Sequence, residues 1–163
     1  MAIPVYLWLM DDAGKQVKGS VDINDRESSI EIVELMHAIE LPTDEATGKI
    51  TAKPVHGDYA IIKEVDSASS LLYQGVTTGK RYQKAVLRFY KINDNGIEVE
   101  YFRTTLEEVR INRIEPFMFD IRDTAFGNRN HLEALYLRYE KITWHYIDGN
   151  IIYSDSWNER RSF

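Results

Sequence analysis

Metal binding, acid–base catalysis and phosphate capture each need particular side chains at particular spacings. The four histidines, His37, His56, His131 and His145, are scattered, with no His-x-His and no i, i+4 pair. A zinc site takes clustered ligands of defined spacing. With no cysteine in the chain, thiolate metal sites, iron–sulfur clusters, disulfide frameworks and cysteine nucleophiles are excluded. Lone histidines of this kind read as structural or exposed. The run Gly75-Val76-Thr77-Thr78-Gly79-Lys80-Arg81 superficially looks like a phosphate loop. Three residues separate its glycines where four are needed, and Arg81 stands where the magnesium-binding Ser or Thr belongs. It also ends a predicted helix instead of opening one, so no N-terminal amides face an anion. Carboxylates are plentiful, but no pair is singled out by an apolar neighbourhood that would raise one pKa for acid–base work, and Glu107-Glu108 reads as a solvated edge. No nucleophile elbow, calcium loop or dinucleotide fingerprint is present. The expectation is a non-enzyme without cofactor or metal.

The elements that carry these residues follow from composition and period. A chain of 163 residues is most simply one domain, 1–163. Twenty basic against 26 acidic side chains give a net charge of −6, against a nucleic-acid binder or a polybasic membrane anchor. Seventeen Ile, ten Val and 19 aromatics, against eleven Leu and ten Ala, favour a mainly β fold. Ala2–Met10 is apolar, but no Lys or Arg precedes it and Asp11-Asp12 ends it, which is not a secretory signal. No apolar run approaches the roughly 20 residues of a membrane span, and no Asn-x-Ser/Thr acceptor occurs. The chain is expected to be cytoplasmic when made.

Val5–Met10 reads as a strand, turned at Asp11–Gly14 into a second extended piece, Val17–Ile23. Ile30–Leu41 is extended on the alternation Ile30-Glu31-Ile32-Val33-Glu34. Pro42–Gly57 has no stable pattern, and two readings fit it: a floppy surface loop, or an arm that orders on a partner. Tyr59–Val65 is a strand. Asp66–Ser70 then opens a helix with a stripe of Leu71, Leu72 and Val76, and Gly79 stops it. Tyr82–Ile92 and Ile97–Leu106 flank Asn93-Asp94-Asn95-Gly96, a hairpin signal, and Val109–Ile114 continues extended. Pro116–Asn130 is irregular, with a short pairing possible at Met118–Ile121; Leu132–Ile147 reads as one long strand, turned at Asp148-Gly149-Asn150 into Ile151–Trp157.

Two surface patterns stand out. Residues 22–45 carry eight acids, Glu31 and Glu34 among them, and one base; residues 80–91 carry Lys80, Arg81, Lys84, Arg88 and Lys91 with no acid. They are either solvated faces or opposed patches that meet head to tail between copies. Leu132–Ile147 shows large apolar groups, Tyr136 and Trp144 among them, on both of its faces. Either it is central to its own sandwich or one face packs on a neighbouring subunit.

Taken together, the residues resemble the haemolysin-coregulated protein (Hcp) family, the tube proteins of type VI secretion. The likeness runs from Ala2-Ile3-Pro4-Val5-Tyr6-Leu7 to the end of the chain. It is densest at Thr47-Gly48-Lys49, the Asp66–Lys80 helix with its Thr78-Gly79-Lys80 exit, Val99-Glu100-Tyr101-Phe102 and Thr105–Val109. It is most specific in Tyr139–Trp144, Asp148-Gly149-Asn150 and Asp155-Ser156-Trp157. The resemblance implies a small β-barrel of two antiparallel sheets with one flanking α-helix, like phage tail tubes. It implies hexameric rings of identical subunits stacked into a hollow tube, a spike protein at the tip, a contractile sheath outside and effector proteins in the lumen. It implies release without a signal peptide and, with the chain ending at Phe163, no toxin extension. The arm at 42–57 would reach an adjacent ring, which makes Thr43, Asp44, Glu45, Thr47 and Lys49 ring-stacking candidates. Glu31, Glu34, Lys80, Arg81, Arg88, Tyr136 and Trp144 are subunit-interface candidates. A phage-derived tail tube of another injection particle is the alternative; a monomeric β-barrel binding module is the third and least favoured reading.

Overall fold

The structure, a computed structural model, describes residues 3–157. β1 (Val5–Asp11) points Val5, Leu7 and Leu9 inward and Tyr6, Trp8 and Met10 outward. β2 (Gln16–Val17) folds back on it through a turn in which Gly14 takes φ 79°. The extended piece expected over Val17–Ile23 stops at Val17, and turns follow. Gly19 lies against the backbone of Ser29, where a Cβ would stand 2.4 Å from the carbonyl oxygen. Arg26 holds this segment down: its guanidinium lies 3.9 Å from the Tyr90 ring centroid and pairs with Glu98 at 2.6 Å.

β3 (Ile30–Ile32) pairs with β1, and β4 (Glu34–Met36) pairs with β7 (Tyr59–Glu64). Val33 carries the chain from one partner to the other, donating its N–H to the Ile62 carbonyl at 2.8 Å. The main ladder runs β1-β8-β9-β10-β7, with β8 (Arg81–Ile92), β9 (Glu98–Phe117) and β10 (Leu132–Arg138). Residues 30–36 therefore join its two sides and close it into a barrel. The two expected sheets are joined in one ten-stranded ladder because β9 runs through both. One edge of β9 pairs with β8; the other pairs with β11 (Lys141–Tyr146) over residues 102–107 and with β10 over residues 110–117. Glu108, with φ 55°, sits where the neighbour changes. β12 (Ile151–Ser156) lies outside β11, while β5 (Ile39–Glu40) and β6 (Val55–His56) form a separate ribbon. Residues 118–131 carry a short 3-10 turn and, against the expectation for Met118–Ile121, do not pair, because β9 ends at Phe117.

Residues 132–147 are two strands, not one. β10 points Glu133, Leu135 and Leu137 inward; after the break at Tyr139-Glu140, β11 points Ile142 and Trp144 inward. The inward phase flips from odd to even numbers at the break, so a single strand read across it shows apolar groups on both faces. The apparent second face needs no neighbouring subunit.

The helix α1 (Ser69–Thr78) packs Leu72, Val76 and Gly75 on the core, while Leu71, expected in the stripe, is 49% exposed. The cap residue Ala68 has no side-chain acceptor; instead the Asp66 carboxylate accepts the Ala68 N–H at 3.0 Å. Gly79, with φ 64°, ends the helix as expected, and the Lys80 N–H reaches the Gly75 carbonyl at 2.9 Å. Among the described residues no helix is long and apolar enough to cross a membrane.

Candidate assembly surfaces

Residues 39–56, read from sequence as a loop or an arm, form a hydrogen-bonded ribbon. Ile39 pairs with His56 and Glu40 with Val55; further out the Thr51 N–H reaches the Pro42 carbonyl at 3.0 Å, and Thr43 bridges to Ile50. Six residues each way at strand rise give the ribbon a length of about 20 Å. Its tip is built by Asp44. One carboxylate oxygen accepts the Thr47 N–H at 2.7 Å, the Thr47 hydroxyl at 2.8 Å and the Ala46 N–H at 3.1 Å. Those donors hold the Asp44 carboxyl below its ordinary range, so the turn keeps its charge. Ile39, Leu41, Ile50 and Val55 are all exposed along the ribbon.

The root of the ribbon is a polar cluster that sequence reasoning missed. His37 and His56 both reach the Tyr139 hydroxyl, at 2.9 and 2.6 Å, and the other His56 nitrogen meets the Asp155 carboxylate at 2.7 Å. Trp157 and Tyr59 pack over the two rings. Burial and the neighbouring His56 push His37 below the ordinary histidine value; burial and the Asp155 charge push Tyr139 upward. No local motif announces this cluster, because its members come from four segments between residues 37 and 157.

On the barrel, strand registers set out the outward face of β3-β1-β8-β9-β11-β12, on which Tyr6 is covered by the Arg26 guanidinium. One cross-strand row reads Glu31, Tyr6, Arg88, Arg103, His145 and Ile152. The next reads Trp8, Val86, Thr105, Thr143 and Ser154, the last two joined at 2.7 Å. Among the described residues β12 pairs with β11, and its Ile151, Ile152 and Tyr153 are exposed. Among the described residues no group of three or more His, Cys, Asp or Glu could hold a metal ion.

The family model for the type VI secretion system effector Hcp matches residues 6–146. The chain belongs to the Hcp family. It is 32% identical over 121 residues to the Major exported protein of Pseudomonas aeruginosa, covering 74% of this chain and 70% of that protein. Among solved structures it is similar to a doubly substituted Hcp1 protein from E. coli EAEC 042 pathovar, with 52% identity and a TM-score of 0.86 over 96% of this chain and 99% of that one. The secreted protein Hcp3 from Pseudomonas aeruginosa shares the fold at 23% identity, with a TM-score of 0.75 over 97% of this chain and all of that one, 100%.

Within this Hcp fold the five ring-stacking candidates gather at the ribbon tip, where Thr43, Asp44, Glu45, Thr47 and Lys49 are all exposed. The interface candidates do not gather. Lys80 lies 3.9 Å from Asp11, and Arg81 is already paired with Glu108. Arg88 stacks over Trp8 at 4.7 Å. Glu31 shares its face and its row, so Glu31 and Arg88 are not on opposed patches as the charge runs imply. Glu34 points outward elsewhere, opposite Ile62, because Val33 moves the chain to β7. Tyr136 lies outward on β10 under Arg113, and Trp144 stacks on Tyr153 at 6.1 Å. The acid run is split because Val33 carries the chain from β1 to β7, and the basic run is partly neutralised by Asp11 and Glu108, so neither run makes one patch of unpaired charge.

Proposed function

We propose that the chain is the structural subunit of a type VI secretion tube. Six copies form a ring, and rings stack into a hollow tube with a spike protein at its tip, a contractile sheath around it and effector proteins in its lumen. The observation that carries this reading is the arm: an ordered ribbon standing off the barrel with Ile39, Leu41, Ile50 and Val55 exposed. A lone monomer gains nothing from ordering such a ribbon, whereas an adjacent ring would bury it. The exposed Ile151 and Ile152 on β12 support lateral contact within a ring. The relative whose name marks it as exported supports secretion.

Purified protein is expected to form six-membered rings by native mass spectrometry and short stacks in negative stain. Ile50→Lys, at a position 66% exposed, should leave the fold within about 0.5 kcal/mol and keep the rings while abolishing stacks. A strictly monomeric wild-type protein at tens of micromolar would refute the proposal.

A further inference from the structure

We propose that His37, Tyr139, His56 and Asp155 form a latch at the root of the arm that stays closed with one imidazole charged but not with both, so that acid frees the arm. The latch is read from geometry alone; only its consequence for stacking rests on the tube reading.

His37 precedes β5 and His56 ends β6, so the two feet of the arm meet on one phenol. The feet are also tied to each other, by the Ile39–His56 pairing and by the Gly57 N–H on the Ala38 carbonyl at 2.9 Å. The phenol belongs to Tyr139, 5% exposed, at the break between β10 and β11; the carboxylate of Asp155 is on β12. Opening the latch would therefore release both arm strands from the barrel together.

The hydroxyl of Tyr139 carries a single hydrogen, and that limits the protons the chain of bonds can hold. With both rings neutral, His56 donates from Nε2 to Asp155 and accepts the Tyr139 hydroxyl at Nδ1; the phenol oxygen accepts from His37 Nε2. Charging His37 leaves every bond in place. Charging His56 instead turns Nδ1 into a donor to the phenol oxygen, and the hydroxyl swings to His37 Nε2, so the chain reverses and stays complete. With both rings charged, two donors face one oxygen, and the hydroxyl hydrogen has no acceptor. Among the described residues one carboxylate contacts the two rings. Asp155 is the carboxylate in contact; Arg138, over the Trp157 ring at 5.6 Å, is matched by Asp58 at 2.6 Å, and Tyr59 against His37 is neutral. Burial and His56 already hold His37 below the ordinary value of 6.5. A depressed imidazole contributes stability above its ordinary value and loses it as pH falls through its folded value, so the latch fails on the acid side.

Hydrogen–deuterium exchange of the full chain, read by mass spectrometry on peptides spanning residues 38–57 and corrected for intrinsic rates, tests this. Between pH 7.5 and pH 5 the corrected exchange should rise about tenfold or more in these peptides, while β8 and β9 peptides stay unchanged. His37→Gln, at a half-buried site, should flatten the step without unfolding the barrel, because one chargeable ring then remains; Tyr139→Phe should leave the root open at both pH values. A flat profile in the wild-type chain, or an unaltered step in His37→Gln, would overturn the latch. Failure of the tube reading shows separately, as absence of rings at pH 7.5.

Discussion

Replacing Lys63 with Met should destabilise the protein far more than replacing the glutamate it pairs with. Lys63 and Glu133 are both fully buried, on the inward phase of β7 and β10. The Lys63 ammonium lies 2.5 Å from a Glu133 oxygen, 2.8 Å from the Glu64 carbonyl, 3.0 Å from Asp66 and 3.3 Å from the Ser69 hydroxyl. That same Glu133 oxygen also accepts the Ser69 hydroxyl at 2.7 Å, while its second oxygen meets no hydrogen-bond donor among the described residues. Lys63→Met keeps the volume but strands the Glu133 charge on one hydroxyl, which should cost about 3–5 kcal/mol. At roughly 2–4 °C per kcal/mol for a chain of this size, the melting temperature falls by roughly 6–20 °C. Glu133→Gln leaves Lys63 with Asp66 and two further oxygens and should cost about 1–3 kcal/mol. Lys63→Met with Glu133→Leu removes both charges and should return to within about 2 kcal/mol of wild type. The assay is urea unfolding followed by tryptophan fluorescence at one fixed protein concentration, since assembly adds concentration-dependent stability. A Lys63→Met chain within about 1 kcal/mol of wild type, or a Lys63→Met/Glu133→Leu chain no more stable than Lys63→Met alone, would refute the reasoning.

Two helix glycines should separate by mechanism. Gly79→Ala meets open space and is opposed only by its φ of 64°, so it should cost about 1 kcal/mol. Gly75→Ala places a methyl 2.0 Å from the hydroxyl of buried Tyr82 and should cost about 1–3 kcal/mol, most of it recovered by adding Tyr82→Phe. Thermal melts by circular dichroism distinguish the two; no recovery in the double variant would contradict the clash. At the alkaline end, burial pushes Tyr59 from 10.0 up to about 12. A phenol whose folded pKa is raised contributes stability below its ordinary value and loses it as pH climbs toward the folded value. Ultraviolet titration should therefore show Tyr59 ionising late, with stability falling above about pH 10. Simultaneous titration of all ten tyrosines in folded protein would contradict this.

The sequence by itself determined whatever is encoded over a few neighbouring residues. The β-rich class, the hairpin at residues 93–96, and the helix with its stop at Gly79 all follow from turn chemistry and period. Even the buried Lys63–Glu133 pair left a trace, since each charge falls on the apolar phase of an alternating strand. The tertiary structure decided what depends on register between distant strands. Val33 carries the chain from β1 to β7, which splits the acid run at 22–45, and the phase flip at Tyr139-Glu140 mimicked a second apolar face. The root cluster shows the limit most directly. His37, His56, Tyr139 and Asp155 are drawn together only when the ladder closes, because hydrogen-bond pairing between strands carries no local signature in the residues it joins.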